Sequence, residues 1–472
     1  MPRFTYSLPR SIVWVFAYLL LGVSPWMLAA QGPVTVAGRI IGTPPNVQQD
    51  WLYLLEYQGN ETFRRDSCKL SPEGNFKLES KLNAPLGLYQ VGFSEQFFTK
   101  LAVVPGRALQ CTLDFADLKG GLPAKAPDLE NELYAQLERY ARQREDIQRQ
   151  LNWMEVMVQH QIPEQKDMVV AQWQTRAEQE LNIPLRILAQ QHPESLVIQQ
   201  WLTIYLEPLP NPVAGNYQAF IDHQYQHMLG DLDWAQPALA HHDGLCGWLY
   251  DYLACYAATQ SFVRLRGGLD QIVQHANAQP LTLGVVGSYL INTLYEMMLT
   301  EMTYHLLSTP PLSQCQTLNK AAQGIRNTYS NVLAGKAFPT YPLQDVKMQP
   351  RTAQEIAKAG ALTLVIFWSA GCDHCRKAWP MFQELYNEFG QSGLQIFAIG
   401  MDQERAQWEA GLDELKLPGT HVHDPKSWAG PIPSTFAVEK TPGVYLLRSD
   451  GTIHRGLVHL DFVRIEIESF FN

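Results

Sequence analysis

The chain has 472 residues, with 36 Lys plus Arg against 46 Asp plus Glu and a formal charge of -10. At about 150 residues per domain this suggests three domains, not one core. Apolar residues make up 46% and charged residues 17%, which is globular and neither disordered nor fibrous. The acidic balance, without a basic stretch, disfavours nucleic acid as a partner, and seven cysteines are too few for a disulfide-stapled scaffold.

Residues 1–30 read as an address. Arg3 and Arg10 precede or open an uncharged run from Ser11 to Val23, followed by Pro25 and the pair Ala29-Ala30. A basic start, an apolar middle and a small-residue end make a secretory signal peptide, cleaved after Ala30, with an uncleaved membrane anchor as the second reading. No cysteine lies near that site, which excludes a lipid-bearing cysteine. The remaining chain is therefore expected in the periplasm or cell envelope.

Residues 31–118 alternate in short segments, VTVAGRI, WLYLLEY, FKLES, LYQVGF and LQCTLDF, separated by turn signals such as GTPPN and SPEGN. This predicts a small antiparallel, sandwich-like β domain. Cys68 and Cys111 fall on two of its strands, and either a cross-sheet disulfide or two buried thiols fits the sequence. Residues 119–333 change period. Apolar residues recur at spacings of three and four, as in Leu133, Leu137 and Tyr140 or Trp201, Ile204 and Tyr205, and about eight helices are expected, broken at Pro193, Gly244, Gly267-Gly268, Pro280 and Pro310-Pro311. His241, His242 and Asp243 are adjacent, so on a helix they point apart, and a surface turn fits them better than a metal site.

The chemistry sits in residues 334–472. Residues 361–376 read ALTLVIFWSAGCDHCR, a continuous apolar run of strand length ending in Phe367-Trp368, then a small-residue turn and Cys372-Asp373-His374-Cys375 opening a periodic segment. A buried strand thus delivers a C-x-x-C to a helix N-terminus, where unpaired N–H groups and the helix dipole favour negative charge on the first sulfur. Cys372 is the expected nucleophile, and Cys375, one turn along on the same side, the resolving thiol. A protonated His374 would add positive charge beside Cys372, and Asp373 opposes it. Half of a zinc site is the competing explanation, but the chain has no second cysteine pair, and His421 and His423 in HVHD read as a strand with exposed imidazoles. A peroxidatic cysteine would want Pro and Thr seven and three residues upstream, where Val365 and Ser369 stand.

On these residues the C-terminal segment resembles the thioredoxin superfamily, specifically the TlpA/ResA-like extracytoplasmic thiol-disulfide oxidoreductases. Pro380 in CRKAWPMF matches the proline that kinks the family's active-site helix, and Thr441-Pro442 in EKTPGVYLL matches the segment with its cis-proline. LQIFAIGMD supplies the next strand, GVYLLRSDGTIHRG a hairpin turning at Asp450-Gly451, and LDFVRIEIESFF the closing helix. DQERAQWEAGLDELKLPGTHVHDPKSW fits the family's strand-and-helix insertion before the cis-proline, and GKAFPTYPLQDVKM its amino-terminal hairpin. The three-part arrangement is similar to that of multidomain Bacteroidota-type proteins.

The resemblance implies a C-terminal α/β thioredoxin-like domain exchanging disulfides with extracytoplasmic proteins. Cys372, Cys375, His374 and Pro442 are then the catalytic set, and Trp368, Thr441, Pro442 and Gly443 the substrate contacts. No metal or organic cofactor is implied, and the partners are protein thiol or disulfide substrates and a membrane or envelope thiol electron donor. Ile366 stands where thioredoxin has a buried proton-relay Asp, so proton transfer would use water or another carboxylate, with Glu439, near Pro442 in sequence, as a candidate. Reductase is the direction the family favours; oxidase or isomerase action, and an envelope binding protein with a regulatory redox domain, are the alternatives.

Overall fold

The computed structural model describes residues 32–42, 51–84, 86–94, 96–118, 128–161, 172, 175–206, 229, 232–258, 261–416 and 418–472. The signal or anchor expected at 1–30 lies outside the described residues. No described helix is long and apolar enough to cross a membrane. The chain divides into two compact units, residues 1–252 and 253–472, so the helical stretch expected over 119–333 is shared between them.

In the first unit the alternating segments form two sheets. One has the order β4-β1-β7, built from β1 (Gly32–Ile41), β4 (Asn75–Ala84) and β7 (Ala108–Asp114). The other has the order β3-β2-β5-β6, from β2 (Trp51–Gln58), β3 (Glu61–Lys69), β5 (Gly87–Ser94) and β6 (Phe97–Val103). All pairings are antiparallel except β1 with β7, which run parallel with Gly38 opposite Cys111. A Cβ at Gly38 would stand 1.8 Å from the Cys111 carbonyl oxygen, so this approach of two backbones requires glycine. Alternate residues of both sheets, among them Val34, Val36, Leu52, Leu54, Leu78, Val91 and Leu101, meet in one core. Cys68 and Cys111 lie on different sheets and both are free thiols.

Helices follow as the period predicts: α1 (Leu129–Gln161), α2 (Ile183–Gln191), α3 (Leu196–Tyr205) and α4 (Gly244–Ala258). The N-terminus of α3 is closed from within the protein. Glu130 of α1 accepts from the Ser195 hydroxyl at 2.7 Å and from the Leu196 and Val197 amides at 3.1 and 3.0 Å, a carboxylate at the positive end of a helix.

His241 and His242 do not form the surface turn that their adjacency suggested. They are 2% and 1% exposed, because β2, β5, β6 and the helices supply partners from far along the chain. His241 Nδ1 donates to the Tyr57 carbonyl at 3.0 Å and lies 3.2 Å from Glu56, which Arg65 also grips at 2.7 and 2.9 Å. Burial alone would raise the Glu56 carboxyl, but His241 and Arg65 hold it down at about 2. Lys100 pairs with Asp243. His242 accepts from the Gly244 amide at Nδ1 and meets the Tyr205 hydroxyl at Nε2, and that hydroxyl donates to Glu138 at 2.8 Å.

The second unit opens with α5 (Phe262–Ala276), α6 (Pro280–Glu296), α7 (Thr300–Ser308) and α8 (Lys320–Thr328). The Gly267-Gly268 pair, expected to break a helix, runs inside α5. A seven-stranded sheet follows in the order β14-β13-β10-β11-β12-β8-β9. Its strands are β8 (Leu343–Asp345), β9 (Pro350–Arg351), β10 (Leu362–Trp368), β11 (Leu394–Gly400), β12 (Thr420–His423), β13 (Gly443–Arg448) and β14 (Ile453–Arg455). Its helices are α9 (Ala353–Ala357), α10 (Asp373–Phe389), α11 (Arg405–Leu415), α12 (Ile432–Phe436) and α13 (Leu460–Phe471). The expected hairpin at Asp450-Gly451, the closing helix and the insertion, as α11 plus β12, are all present.

Strand β10 is buried along its whole length, parallel to β11 on one side and antiparallel to β13 on the other. Leu362, Leu364, Ile366 and Trp368 share a core with residues of α10 and α13. The opposite face carries Phe367, which meets Phe436 and Tyr445, and Tyr445 in turn meets Tyr304 of α7. On this face α7, which precedes the sheet in the chain, thus packs against β13.

The buried His242 sets a pH response in the first unit. Burial pushes its imidazole from 6.5 down to about 4, with Asp243 opposing and Lys100 assisting. Between those values the unfolded chain binds the proton and the folded one does not, so stability falls as pH falls from 6.5 to 4. His242→Gln is expected to flatten that slope by about 1.4 kcal/mol per pH unit in urea unfolding of this unit. An unchanged slope would assign the proton to another group.

Candidate functional site

The run LTLVIFW has no polar face, so it becomes a central strand, and its C-terminal end opens into the turn Ser369-Ala370-Gly371 ahead of α10. Cys372 is the N-cap of α10, with extended backbone, and its sulfur accepts from the Cys375 amide at 3.2 Å. An orphan donor of the helix start therefore points at this sulfur. The two Sγ atoms lie 2.6 Å apart. Cys372 is half-buried and Cys375 fully buried. Burial, then the neighbouring Cys372, pushes the Cys375 thiol up to about 12, against smaller opposing effects of the Ser369 backbone and the Thr441 hydroxyl.

Across from the sulfurs, the Thr441-Pro442 peptide is cis, and the Cys372 thiol donates to the Thr441 carbonyl at 3.3 Å. Sheet register brings these segments together. Phe367, two residues before the turn, pairs with Gly443, the first residue of β13. Thr441 and Pro442 are half-buried and therefore reachable, and His374 is exposed on the first turn of α10. Pro380 lies inside α10, as the resemblance implied.

Three expectations need correction. Trp368 is wholly buried, its indole 4.8 Å from that of Trp379, so it is core and not a substrate contact. It is the last residue of the inward-facing alternation of β10, which a run apolar on both faces does not reveal. Gly443 is buried in the ladder opposite Phe367 and offers no exposed edge. His423 is not an exposed strand imidazole: it donates to the Asp402 carbonyl at 2.7 Å and stacks on Trp408 at 5.1 Å. Glu439, the candidate for a substitute proton relay, is exposed and accepts from Thr300 at 2.8 Å. Among the described residues no group of three or more His, Cys, Asp or Glu could hold a metal ion.

The sequence reading missed the clamp on the turn. Asp402, 4% exposed and just past the end of β11, accepts from the Ser369 hydroxyl at 2.7 Å and the Ala370 amide at 3.0 Å. Arg376 of α10 donates to the Ala370 carbonyl at 3.0 Å and pairs with Glu414 of α11. Gly411 of α11 lies so close beneath the turn that a Cβ there would stand 2.7 Å from that of Ala370. The insertion helix is thus the floor of the C-x-x-C turn. The signal available in sequence was an acidic residue ending LQIFAIGMD, a strand expected beside β10.

Residues 334–455 match the AhpC/TSA family. The thiol-disulfide oxidoreductase ResA of Oceanobacillus iheyensis is 25% identical over 143 residues, covering 29% of this chain and 71% of that protein. ResA of Bacillus cereus is 25% identical over 125 residues, covering 25% of this chain and 70% of its own. The thioredoxin domain of a thiol-disulfide oxidoreductase from Bacteroides vulgatus aligns at 25% identity with a TM-score of 0.28, covering 30% of this chain and 99% of its own. The C-terminal part of the chain is a thioredoxin-like thiol-disulfide oxidoreductase domain.

Removal of the Asp402 carboxylate leaves a buried amide and a hydroxyl without their acceptor. Asp402→Ala is expected to destabilise the second unit by about 2 kcal/mol, and Asp402→Asn, which keeps an acceptor oxygen, by less. Urea unfolding of both variants checks this. Equal losses would show that the acceptor is not what matters.

Proposed function

We propose that this domain reduces disulfides of extracytoplasmic proteins, with Cys372 as nucleophile and Cys375 as resolving thiol. The observation that carries the reading is the pair's asymmetry. One sulfur is half-exposed at a helix N-terminus and under the Thr441 carbonyl, and the other is buried, with its thiol pushed up to about 12. The Cys372 thiolate attacks one sulfur of a substrate disulfide. The substrate S–S bond breaks, its second sulfur leaves and takes a proton, and a mixed disulfide forms. Cys375 then gives up its proton and attacks Cys372 Sγ, releasing the first substrate sulfur as a thiol. Substrate gains two electrons and two protons, and the Cys372–Cys375 disulfide remains. An envelope or membrane thiol donor returns it to the dithiol by the reverse exchange.

In this reading the Thr441-Pro442 edge holds an extended stretch of substrate beside the sulfur, and His374, exposed next to it, adjusts the charge there. The uncharged run near the N-terminus supports delivery out of the cytoplasm, to the periplasm or envelope, as secreted or anchored protein. The residues acting are all protein groups, and no cofactor enters the cycle.

Cys372→Ser is expected to abolish disulfide exchange, and Cys375→Ser to accumulate substrate-linked mixed disulfides, seen on non-reducing gels. Equilibration against dithiothreitol or glutathione buffers should place the couple near roughly -270 mV or lower, as for a reductase. A value near roughly -120 mV would reverse the direction to that of an oxidant.

A further inference from the structure

We infer that the first turn of α7 is a positioning element of the redox site. Thr300 and Glu301 hold Glu439 and Lys440, and through them set the Thr441-Pro442 edge against which a protein substrate lies. This rests on the proposed exchange at Cys372, and it assigns to a helix outside the redoxin match the control of how a polypeptide is held.

The segment between α12 and β13 needs such a hold. Residues 437–442 belong to no strand, and their backbone is tied at its start, where the Val438 amide donates to the Pro433 carbonyl at 3.0 Å. Glu439 and Lys440 are exposed, and their side chains reach to α7. The Thr300 hydroxyl donates to Glu439 Oε2 at 2.8 Å, and Lys440 Nζ lies 2.9 Å from Glu301. The next residue is Thr441, whose carbonyl accepts from the Cys372 thiol. Two successive side chains before the substrate edge are thus fastened to two successive residues of one helix.

That helix is itself fixed. Thr300, Met302, Thr303, Tyr304, Leu306 and Leu307 are buried. The Tyr304 hydroxyl donates to the Val332 carbonyl at 2.6 Å, and its ring meets Tyr445 of β13. The Glu301 carboxylate is largely buried, at 11% side-chain exposure, against 53% for Lys440. The anchor therefore belongs to the core and the tethered groups to the surface, so the loop follows α7. His459, stacked on Phe262 of α5 at 3.9 Å, sits within electrostatic reach of Glu301 and Lys440.

Loosening this edge should affect a substrate that lies along it and not one that meets only the sulfur. In the full chain, Thr300→Val combined with Glu301→Gln is expected to raise KM about fivefold for a ten-residue-scale fluorogenic peptide disulfide, with kcat unchanged. The rate with 5,5'-dithiobis(2-nitrobenzoate) and the reduction potential of the couple should stay as in the parent protein, and Thr300→Ser, which keeps the donor, should retain the parent KM. An unchanged peptide KM in the double variant would overturn the inference. So would an equal loss with both disulfides, which would mean general loosening of the domain. Cys372→Ser must silence both probes; if it does not, the exchange reading fails, independently of α7.

Discussion

The antiparallel register of β10 with β13 is the constraint on which the site depends. Phe367 opposite Gly443 means that the chain leaving β10 and the chain entering β13 emerge side by side. The first becomes the cysteine turn and the second is the Thr441-Pro442 peptide, so a sulfur and a backbone edge face each other without either loop having to search for the other. Burial on both faces of β10 makes this register hard to slip. A shift by one residue would exchange the Trp368 face, packed on α10, with the Phe367 face, packed on Tyr445 and Phe436.

Given that placement, the difference between the two sulfurs follows from the geometry of a helix start. Cys372 occupies the N-cap, outside the helix, where an amide is available to it and solvent reaches it. Cys375, one turn in, faces the apolar core with Ile366, Ala378 and Phe382. Ile366 offers no proton acceptor there, so the buried thiol keeps its proton until exchange chemistry demands it. The turn between strand and helix is short and small-residued, and the amide and carbonyl of its Ala370 are taken up by Asp402 and Arg376. So brief a loop is held in place by these outside partners and by Ala370, which is buried in the core against Gly411 of α11.

Much of the redox domain was legible because its signals are local. The Cys372–Cys375 spacing, the Thr441-Pro442 pair, the Asp450-Gly451 turn and the helical period of LDFVRIEIESFF each act within a few residues. What could not be read depends on distant partners. Trp368 looks like a site residue when only its place before the motif is known, and its burial depends on Trp379 and on α11 arriving beneath it. His241, His242 and Asp243 look like surface because three polar residues in a row seldom go inside. His241 and His242 do so here because Glu56 and Tyr205 are brought to them by other elements, and Lys100 meets the half-buried Asp243. Periodicity also marked the helices without saying what they pack on, so the separation at residue 252, within α4, left no trace in composition.

The described cysteines differ sharply in their surroundings. Cys111 and Cys246 are buried in the first unit, and burial pushes both thiols up to about 12; burial raises Cys68 as well. A thiol in that condition is a poor nucleophile and behaves as a small apolar side chain. Cys315 is likewise buried, its sulfur 3.3 Å from the Thr317 hydroxyl. Among the described cysteines Cys372 alone combines partial exposure with a helix N-terminus. Two charged clusters of the first unit are turned inward in the same way, Glu56 to Arg65 and His241, and Lys100 to Asp243. Among the described residues, the thiol pair at the end of β10 is therefore set apart from these internally paired groups.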